Sequence, residues 1–535
     1  MYMEPCIPLP LEQEVLDDVV DKARDWALMH GVGMRRKDNF SKDSLSFAPF
    51  LLLPSTFPRT EFERSLRLQT VLNELVHRVA HDYEFLHQSL SNACKVDEFT
   101  RRLFEIYEAV RKEGGAQSLS LGLVRSDLML ESGCLKGSAC KRHRNVPRGP
   151  YCCWKQVEVN TIASGFGWLG PEVSMGLLRS DYFFDEPRNS VKQVEINTIA
   201  SSFGALSTVL VHAHRYILAE LGHQDKLEHL PDNNALQGLC GGMLKAWSIY
   251  GRESAAILFI IEDVTYNICD QRFHEFEIRK MNPKVKVIRK NLTEVGMKGS
   301  IDSERRLFID DVEVAVIYFR SGYAPEQYHS DLEWSARLLM ERSLAIKSPS
   351  IHYHLAGSKK VQQELARPGV LEKYLNNSED IESIQGIFTG LFSLDRNEAG
   401  DQALNMALQN PNNYVLKPQR EGGGNNIYGE EIKEFLMKIK DSDERSAWIL
   451  MEKISPPLQR NYMIRPTLKE PMFTDVVSEL GVFGVIIGDS TNVLVNELSG
   501  HMLRTKVCSA NEGGVASGLG ALDSVYLEDF SGNPA

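Results

Sequence analysis

The chain has 535 residues, of which 43% are hydrophobic and 25% charged, and its net charge is −12. This length suits two or three domains with substantial cores, and the composition is that of an ordinary globular protein. The acidic balance excludes a general affinity for nucleic acid, which needs broad basic surfaces, and no apolar run approaches the length of a membrane span. Residues 1–10 lack the features of a secretory signal, so we expect a cytoplasmic protein. The alternative is an organellar form whose leader is missing from this sequence.

The N-terminal part is predicted to be helical. Apolar residues recur with helical spacing through residues 11–30 and 60–113, including a segment at 97–112. Their large apolar side chains are therefore interpreted as core. A short apolar run at residues 119–124 then predicts a strand.

An internal duplication follows this run. The sequence Gly-Leu-Val-Arg-Ser-Asp at 122–127 recurs as Gly-Leu-Leu-Arg-Ser-Asp at 176–181, and Gln-Val-Glu-Val-Asn-Thr-Ile-Ala at 156–163 recurs with one change at 193–200. The arginines of the two copies lie 54 residues apart and the glutamates 37, so the period is not constant. A solenoid would keep its period. We interpret the duplicated segment, 122–200, as one element copied once, with extra residues inside the first copy.

The extra residues, 132–153, are rich in Gly, Lys, Arg and Cys and have no apolar periodicity, which predicts a loop or intron-derived sequence. Cys134, Cys140, Cys152, Cys153 and His143 lie in it. The adjacent cysteines and the missing paired C-x₂-C spacing are poor for zinc, so reduced thiols are the expectation.

The second copy contains a candidate metal-binding strand. Residues 194–199 alternate apolar and polar side chains, so Glu195 and Asn197 are expected on the same face of a strand. Two neighbouring oxygen donors suit Mg²⁺. A polar face of an exposed strand is the competing interpretation.

From residue 255 onward the pattern predicts a βαβ unit with parallel strands. Strands are predicted at 255–261, 284–288 and 312–319, with a helix at 267–281 between the first two. The remaining predicted helices and strands are helices at 326–343, 359–375 and 430–440 and strands at 448–451, 482–487 and 493–496.

The glycine-rich loop near residue 420 carries the clearest chemical signal. An apolar run ends in Lys417 and leads through Glu421 into Gly422, Gly423 and Gly424. Glycines allow backbone N–H groups to surround phosphate oxygens, and a lysine adds positive charge. A carboxylate in such a loop needs a divalent cation between it and the phosphates. The loop matches neither a P-loop nor a dinucleotide-binding fingerprint, and it predicts a metal–nucleotide site.

Five separated motifs resemble the eukaryotic-type glutathione synthetases of the ATP-grasp superfamily. The resemblance extends from Phe47-Ala-Pro-Phe50 to Gly520, interrupted only around the duplication. The motifs are Lys417-Pro-Gln-Arg-Glu-Gly-Gly-Gly-Asn-Asn426, Leu355-Ala-Gly-Ser-Lys-Lys-Val-Gln-Gln-Glu364, Leu503-Arg-Thr-Lys506 with Gly513-Gly-Val-Ala516, Tyr318-Phe-Arg-Ser-Gly-Tyr323, and the strand with Glu195 and Asn197.

The resemblance implies ATP-driven ligation of γ-glutamylcysteine to glycine through an acyl phosphate, with Mg²⁺ as the cofactor. It implies catalytic roles for Arg179, Arg504 and Lys417. The implied metal ligands are Glu195, Asn197 and Glu421. The implied ATP-binding residues are Glu195, Lys359, Lys417, Pro418, Gln419, Arg420, Glu421, Gly422, Gly423, Gly424, Asn425, Asn426, Tyr428, Met451, Glu452, Lys453, Ile454, Glu479, Lys506 and Glu512.

The dipeptide carries carboxylates, which arginines recognise by bidentate pairing. The residues that the resemblance implies for the substrate are Arg179, Ile199, Ala200, Ser201, Ser202, Thr265, Asn267, Gln271, Arg320, Ser321, Gly322, Tyr323, Arg504, Val515 and Ala516. The duplication offers a second set in Arg125, Glu158, Asn160 and Gly165. We choose the later copy because it keeps the Ser-Ser-Phe sequence and continues into a helical segment at 206–221. A mixed site, with Arg125 and Glu195, is the alternative.

The implied fold class is α/β, with an ATP-grasp core, a helical N-terminal region and an inserted βαβ substrate domain. The expected divisions are 1–254, 255–357 and 358–535. The resemblance also implies a homodimer, with no nucleic-acid or membrane partner. The competing functions are a homoglutathione-type ligase that uses β-alanine, and an ATP-binding homologue that the duplication has impaired.

Overall fold

The computed structural model describes residues 2–36, 40–122, 125–131, 153–160, 179–185, 190–197, 203–419, 425–454, 456–511 and 520–529. For residues 122, 125–131, 153–160, 179–185 and 190–197 the description covers the backbone. Among the described helices, none combines the length and the apolar character that crossing a bilayer requires.

The N-terminal region is largely helical, as the sequence predicts. Its elements are α1 (Gln13–Met29), β1 (Gly33–Met34), β2 (Ser46–Phe47), β3 (Phe50–Leu51), β4 (Ser55–Pro58), α2 (Arg59–Ala80), α3 (Tyr83–Leu90), α4 (Ala93–Val96), α5 (Glu98–Lys112) and β5 (Ser120–Gly122). Asp82 and Asp97 divide the predicted 60–113 segment, because their side chains accept hydrogen bonds from the backbone N–H groups of Phe85 and Thr100 and so cap new helices.

The duplicated region and the βαβ unit follow. Their elements are β6 (Arg125–Glu131), β7 (Cys153–Asn160), β8 (Arg179–Asp185), β9 (Ser190–Asn197), α6 (Gly204–Glu220), α7 (Ala235–Tyr250), β10 (Ala256–Ile260), α8 (Ile268–Met281), β11 (Val287–Lys290), α9 (Leu292–Lys298), β12 (Gly299–Ile301), β13 (Leu307–Ile309), β14 (Val312–Phe319), α10 (Asp331–Glu341) and β15 (Ile346–Ser348).

The C-terminal part continues with α11 (Ile351–Ala356), α12 (Lys359–Leu365), α13 (Ser378–Ile387), β16 (Leu391–Ser393), α14 (Glu398–Gln409), β17 (Tyr414–Pro418), β18 (Ile427–Tyr428), α15 (Glu430–Ile439), β19 (Trp448–Glu452), β20 (Gln459–Ile464), β21 (Met472–Gly488), β22 (Val493–Val507), β23 (Gly520–Asp523) and β24 (Val525–Glu528). Short 3₁₀ turns lie at Gln224–His229, Pro325–Gln327, Leu371–Lys373, Pro411–Asn413 and Asp443–Ala447.

Five of the predicted elements have wrong bounds. The strands predicted at 482–487 and 493–496 are much longer, at Met472–Gly488 and Val493–Val507. The strand predicted at 284–288 lies at Val287–Lys290, because Asn282 and Pro283 form a turn in which Val285 N–H donates to the Asn282 carbonyl. The helix predicted from residue 326 begins at Asp331, where Ser330 and Glu333 form a capping box. The helix predicted at 359–375 ends at Leu365, shortly before the helix-breaking pair Pro368-Gly369.

Three sheets position the candidate site. The largest has the strand order β20-β3-β23-β22-β21-β6-β8-β9, with β5 and β7 attached at its side. The second, β11-β10-β14-β13-β12 with β15 beside β14, contains the predicted βαβ unit, since β10 runs parallel to both β11 and β14. The third, β16-β19-β17-β18, carries the strand that ends near the glycine loop.

The second sheet lies between two hydrophobic cores. Leu258 and Ile260 of β10 pack into one core with α2 and α5, whereas Ile257 and Phe259 pack into the other with α6 and α7. Burial on both faces explains why this strand reads as a continuous apolar run rather than an alternating one. The side chains of strand β21 are likewise divided between the two cores. The large sheet and the βαβ sheet therefore share the hydrophobic interior that supports the site.

Candidate active site

The carboxyl ends of the parallel strands β10 and β14 form one wall of the site. Arg320 follows β14 directly, and its backbone N–H donates to the carbonyl of Ile260 at the end of β10 over 2.8 Å. Its side chain is completely buried, and Nη1 lies 3.4 Å from the hydroxyl of Tyr318. Ligands of α/β sheets commonly bind at this edge. A buried guanidinium at such an edge provides an anchor for a carboxylate.

The N-terminal end of α8 supplies two further predicted residues. Asn267, which precedes the helix, and Gln271 in its first turn are both completely buried. The Nη2 atom of Arg289 donates to the Oε1 atom of Gln271. Both polar atoms of the Asn267 side chain lack a hydrogen-bond partner among the described residues. A buried amide in that state is costly unless a ligand satisfies it.

Asp270 joins this pocket to the start of α6. Its carboxylate accepts hydrogen bonds from the backbone N–H groups of Phe203 (3.2 Å) and Leu206 (3.3 Å). Burial raises the pKa of Asp270 to about 6, and the positive charge of Arg320 opposes that shift. Asp270 therefore fixes the point at which the chain leaves the second copy of the duplication and enters the helix beside Asn267 and Arg320.

A cavity of about 590 Å³ opens above this wall. Ser321 and Tyr323 line it from the loop after β14, and Glu262 and Gln327 lie beside them. Asn425, at the far end of the glycine loop, lines the same cavity. Two residues of the predicted substrate loop, Ser321 and Tyr323, and Asn425, which follows the glycines in sequence, therefore face one space.

The strand that precedes the glycine loop is anchored on both sides. Lys417 lies on β17 opposite Ile449 of β19 and is 4% exposed. Two residues later, Gln419 accepts a hydrogen bond through Oε1 from the backbone N–H of Lys360 over 3.0 Å. This contact brings the start of α12, with the buried Lys359, to the end of β17. Two lysines that lie 58 positions apart in the sequence thus border the same loop.

A buried ion pair holds Lys360 in place. Its Nζ lies 2.7 Å from Oδ2 of Asp395 and 2.6 Å from the hydroxyl of Ser393. Lys360 therefore has a structural role. Its neighbour Lys359 is the lysine that the resemblance assigns to ATP. Across the hairpin, Nδ2 of Asn426 lies 3.3 Å from the hydroxyl of Tyr428.

The segment Met451–Ile454, at the end of β19 in the third sheet, carries an apolar surface. Met451 and Ile454 cluster with Val477 of β21. The backbone N–H of Glu452 donates to the Gly390 carbonyl (2.9 Å) and that of Lys453 to the Asn413 carbonyl (2.7 Å). These bonds fix the strand edge at which the resemblance implies a bound adenine.

Glu479 and Arg504 lie opposite each other on β21 and β22 and form an ion pair. The exposed fractions are 2% for Glu479 and 7% for Arg504. Lys506 lies two residues beyond Arg504, and its Nζ donates to the Asn511 carbonyl over 2.8 Å. One pair of strands therefore brings Glu479 next to Arg504 and Lys506 of the Leu503–Lys506 motif.

The duplicated sequences form duplicate hairpins. In the hairpin β6–β7, Arg125 lies opposite Asn160, and Asp127 lies opposite Glu158. In the hairpin β8–β9, Arg179 lies opposite Asn197, and Asp181 lies opposite Glu195. The register shifts at the equivalent place in both hairpins. Strand β6 also pairs with β21, Arg125 opposite Phe483, while β8 runs parallel to β6. Both copies thus adopt the same backbone pairing, and the first copy lies next to β21.

Several sequence-based assignments lie outside the described residues. They are Ile199, Ala200, Ser201, Ser202, Gly165, Arg420, Glu421, Gly422, Gly423, Gly424, Glu512, Val515 and Ala516, together with Cys134, Cys140, Cys152 and His143. The side chains of Arg179, Glu195 and Asn197 lie outside them as well. Within the described part of the chain, no group of three or more His, Cys, Asp or Glu side chains is arranged to hold a metal ion.

Four residues of the site have no role in the sequence-based prediction: Asp270, Glu262, Gln327 and Lys360. Asp270 stands between Asn267 and Gln271, and its short distance from both in the sequence is the one signal that could have drawn attention to it. The other three act through hydrogen bonds to backbone atoms or to neighbouring side chains, which no local pattern reveals.

Comparison with known proteins places the chain among its relatives. The model of the family described as "Eukaryotic glutathione synthase, ATP binding domain" matches residues 13–175 and 171–527. The glutathione synthetase of Xenopus laevis is 41% identical over 96% of this chain and 98% of its own length, and that of Homo sapiens is 40% identical over the same shares. The chloroplastic glutathione synthetase of Solanum lycopersicum is 37% identical over 97% of this chain and 86% of its own length.

A solved structure supports the fold alone. The apo form of a glutathione synthetase-like effector from Globodera pallida covers 97% of this chain and 98% of its own, with a TM-score of 0.69 and 22% sequence identity. The α/β architecture predicted from the sequence is therefore confirmed.

These sequence relatives define the class as ATP-dependent ligases. The two family-model matches together span nearly the whole chain. The chain belongs to the eukaryotic glutathione synthase family.

Proposed function

We propose that the chain joins γ-glutamylcysteine to glycine with consumption of ATP, giving glutathione, ADP and phosphate. The observation that carries this proposal is the shared cavity, which Ser321 and Tyr323 line from the substrate side and Asn425 from the nucleotide side. A reaction between a phosphoryl group and a carboxylate needs both held in one space, since positioning supplies most of such catalysis.

The chemistry divides into two steps. The γ-phosphorus of ATP forms a bond with an oxygen of the cysteinyl carboxylate while its bond to the β–γ bridging oxygen breaks, which releases ADP. The glycine amine then attacks the carbonyl carbon, the bond from this carbon to the phosphate oxygen breaks, and the amine loses a proton. Neither step needs a side-chain nucleophile. The protein has to orient the substrates and neutralise charge.

Arg320, Asn267 and Gln271 are the proposed anchors of the dipeptide. Their burial around one pocket supports this role, as does the Asn267 amide, which has no hydrogen-bond partner among the described residues. A dipeptide with two carboxylates, an ammonium group and an amide offers partners for all three side chains. Arg179 is the proposed second anchor, and Val515 and Ala516 are proposed to contact glycine.

The nucleotide is proposed to lie between the third sheet and β21. Lys359 and Lys417 border the glycine loop and supply positive charge for the phosphates, and the apolar surface of Met451, Ile454 and Val477 suits an adenine ring. Arg504 is proposed to act on the carboxylate that is phosphorylated. Its partner Glu479 keeps its guanidinium fixed, so little reorganisation is needed when the acyl phosphate forms.

Mg²⁺ is the proposed cofactor, with Glu195, Asn197 and Glu421 as ligands. The donor set fits, since two carboxylates and one carboxamide are hard oxygen ligands. When bound, the ion would screen the triphosphate charge from these carboxylates. Arg504 and the two lysines would neutralise the remaining charge on the phosphates and on the dipeptide.

The second copy of the duplication is proposed to form the site. Continuity of the chain supports this choice, because the residues after β9 lead to Phe203, whose N–H group is bound by Asp270 inside the pocket. The position of β6 beside β21 supports the mixed alternative, in which Arg125 replaces Arg179.

A homodimer and a cytoplasmic location complete the proposal. The homodimer rests on the family resemblance and the location on the sequence-based expectation, and the chloroplastic relatives from plants are the contrasting case for location. Analytical ultracentrifugation tests the dimer, and cell fractionation tests the location.

Asn267→Ala is expected to separate substrate binding from stability. No hydrogen bond of the Asn267 side chain to the described residues is lost, so we expect the free energy of unfolding to fall by less than about 1 kcal/mol. The KM for γ-glutamylcysteine should rise about tenfold, because the substrate loses about 1–1.5 kcal/mol of hydrogen bonding. Steady-state kinetics and urea unfolding measure the two quantities.

Asn73→Ala is the matched control. Asn73 is also completely buried, but its Oδ1 accepts from Gln69 and its Nδ2 donates to Asn496. Its removal should lower the free energy of unfolding by about 1–3 kcal/mol and leave the KM unchanged. A larger loss of stability in Asn267→Ala than in Asn73→Ala, with normal KM, would contradict the assigned role.

Phosphate release tests the function as a whole. The proposal predicts rapid release from ATP when γ-glutamylcysteine and glycine are both present, and only a small fraction of that rate when either is omitted. ATP binding without such release would instead identify an ATP-binding homologue that has lost the reaction.

A further inference from the structure

One side chain from outside the predicted site makes three hydrogen bonds to the loop that follows β14. The Oε1 atom of Gln327 accepts hydrogen bonds from three consecutive backbone N–H groups: Gly322 at 2.8 Å, Tyr323 at 2.9 Å and Ala324 at 3.3 Å. Gly322 has a φ of +98°, a conformation that residues with a Cβ rarely adopt. The loop is therefore a tight turn in which the N–H groups of these three residues point to one amide oxygen.

The other end of the same amide reaches the end of β10. The Nε2 atom of Gln327 donates to Oε1 of Glu262 over 3.0 Å, and the hydroxyl of Tyr323 donates to the same oxygen over 3.2 Å. Burial and the nearby Glu262 carboxylate raise the pKa of Tyr323, which keeps its hydroxyl a donor. Tyr323 is thus held at its backbone by Gln327 and at its hydroxyl by Glu262.

We propose that Gln327 and Glu262 are positioning residues for the dipeptide, acting through the loop Arg320–Tyr323; this inference rests on the function proposed above. Together they form an amide–carboxylate clamp that ties the two parallel strand ends to each other. The clamp fixes the cavity-lining faces of Ser321 and Tyr323 and the direction in which Arg320 leaves β14. A small displacement of such groups weakens substrate binding strongly.

The polarity of the clamp makes the proposal specific. Because Oε1 of Gln327 already serves three donors, only its NH₂ group can face Glu262. Position 327 must therefore accept on one side and donate on the other. A carboxylate can replace the first role but not the second.

Gln327→Glu is the direct test. The new carboxylate still accepts the three N–H bonds, but it meets the Glu262 carboxylate at close range, and two such groups cannot both stay ionised without cost. The KM for γ-glutamylcysteine should rise about tenfold at pH 8 and recover towards pH 6, where a shared proton restores the donor. The KM for ATP should stay unchanged.

Among the described residues, the other ionisable side chains that line this cavity are Asp263, Tyr266, Glu326 and His329, with His329 Nε2 lying 3.3 Å from Oδ2 of Asp263. Arg320 adds a positive charge beside Tyr323. All of these groups are also present in the wild type. Comparing the pH dependence of the KM in the variant with that in the wild type therefore removes their contribution.

Reversal of the pair provides the matched controls. Glu262→Gln alone keeps an acceptor for Tyr323 and Gln327 but removes the negative charge, and it is the single-variant reference for the double variant. In the double variant Gln327→Glu with Glu262→Gln, the NH₂ group at position 262 donates one hydrogen to the carboxylate at position 327 and the other to the Tyr323 hydroxyl, so most of the affinity at pH 8 should be recovered. Urea unfolding of all four proteins identifies any loss of folding.

The possible outcomes are distinct. If Gln327→Glu raises the KM for ATP as much as that for the dipeptide, or if the reversed pair fails to recover at pH 8 although it is folded, the clamp is structural only and the proposal is wrong. If the wild type releases no phosphate with γ-glutamylcysteine and glycine, the proposed function fails instead.

Discussion

Arg320→Lys is expected to raise the KM for γ-glutamylcysteine by about 10- to 150-fold with little change in the KM for ATP. Arg320 is completely buried at the carboxyl end of β14. Lysine keeps the positive charge but cannot pair with a carboxylate through two parallel N–H groups, and a charge-assisted hydrogen bond is worth about 1.5–3 kcal/mol. Alanine would be a poor choice, because it would also remove the charge that opposes the raised pKa of Asp270.

Arg445→Lys is the control for this substitution. Arg445 is also buried (3% exposed), but its Nε and Nη1 atoms donate to the carbonyls of Leu394 and Lys440 within the nucleotide region. Its replacement should lower the free energy of unfolding and leave the KM for the dipeptide unchanged. Equal KM effects of the two substitutions would show that Arg320 does not contact the dipeptide.

Arg179→Ala and Arg125→Ala are expected to differ sharply. If the second copy forms the site, Arg179→Ala loses an anchor of the dipeptide and lowers kcat/KM by about 30-fold or more, since removing one partner of a hydrogen-bonded charge pair costs about 2–5 kcal/mol. Arg125→Ala should then change kcat/KM less than threefold. The measurement is steady-state kinetics with varied γ-glutamylcysteine, with unfolding followed in parallel.

The two arginines are well matched for this comparison. They lie at equivalent positions of hairpins with the same register, Arg125 opposite Asn160 and Arg179 opposite Asn197. The reverse result, a large loss in Arg125→Ala alone, would establish the mixed site in which the strand beside β21 supplies the arginine. Equal mild effects would remove both arginines from the site.

Much of the fold follows from periodicity. The strand predicted at 312–319 and the helix predicted at 267–281 match β14 and α8 to within one residue, because a buried strand and an amphipathic helix leave strong patterns. Bounds set by turns were less predictable. The start of α10 depends on the Ser330–Glu333 capping box, and the shifted β11 depends on the turn at Asn282.

Part of the site was predictable for a different reason. Arg320 and Lys417 were identified from motifs and Asn267 from the family resemblance, and the structure buries all three. The ion pair of Glu479 with Arg504 was not predictable, because it depends on the register between β21 and β22 across 25 residues of sequence. The clamp of Gln327 was likewise invisible, since its partners are backbone N–H groups and a glutamate 65 residues away.

An oxygen-tracer measurement tests the central claim, the activation of the dipeptide carboxylate by ATP, most directly. With ¹⁸O in both oxygens of the cysteinyl carboxylate, the acyl phosphate carries one labelled oxygen between carbon and phosphorus. Attack by glycine then breaks the carbon–oxygen bond and leaves that oxygen on phosphate. Mass spectrometry should find one ¹⁸O in each phosphate released and one in each product amide, whereas unlabelled phosphate would contradict the account.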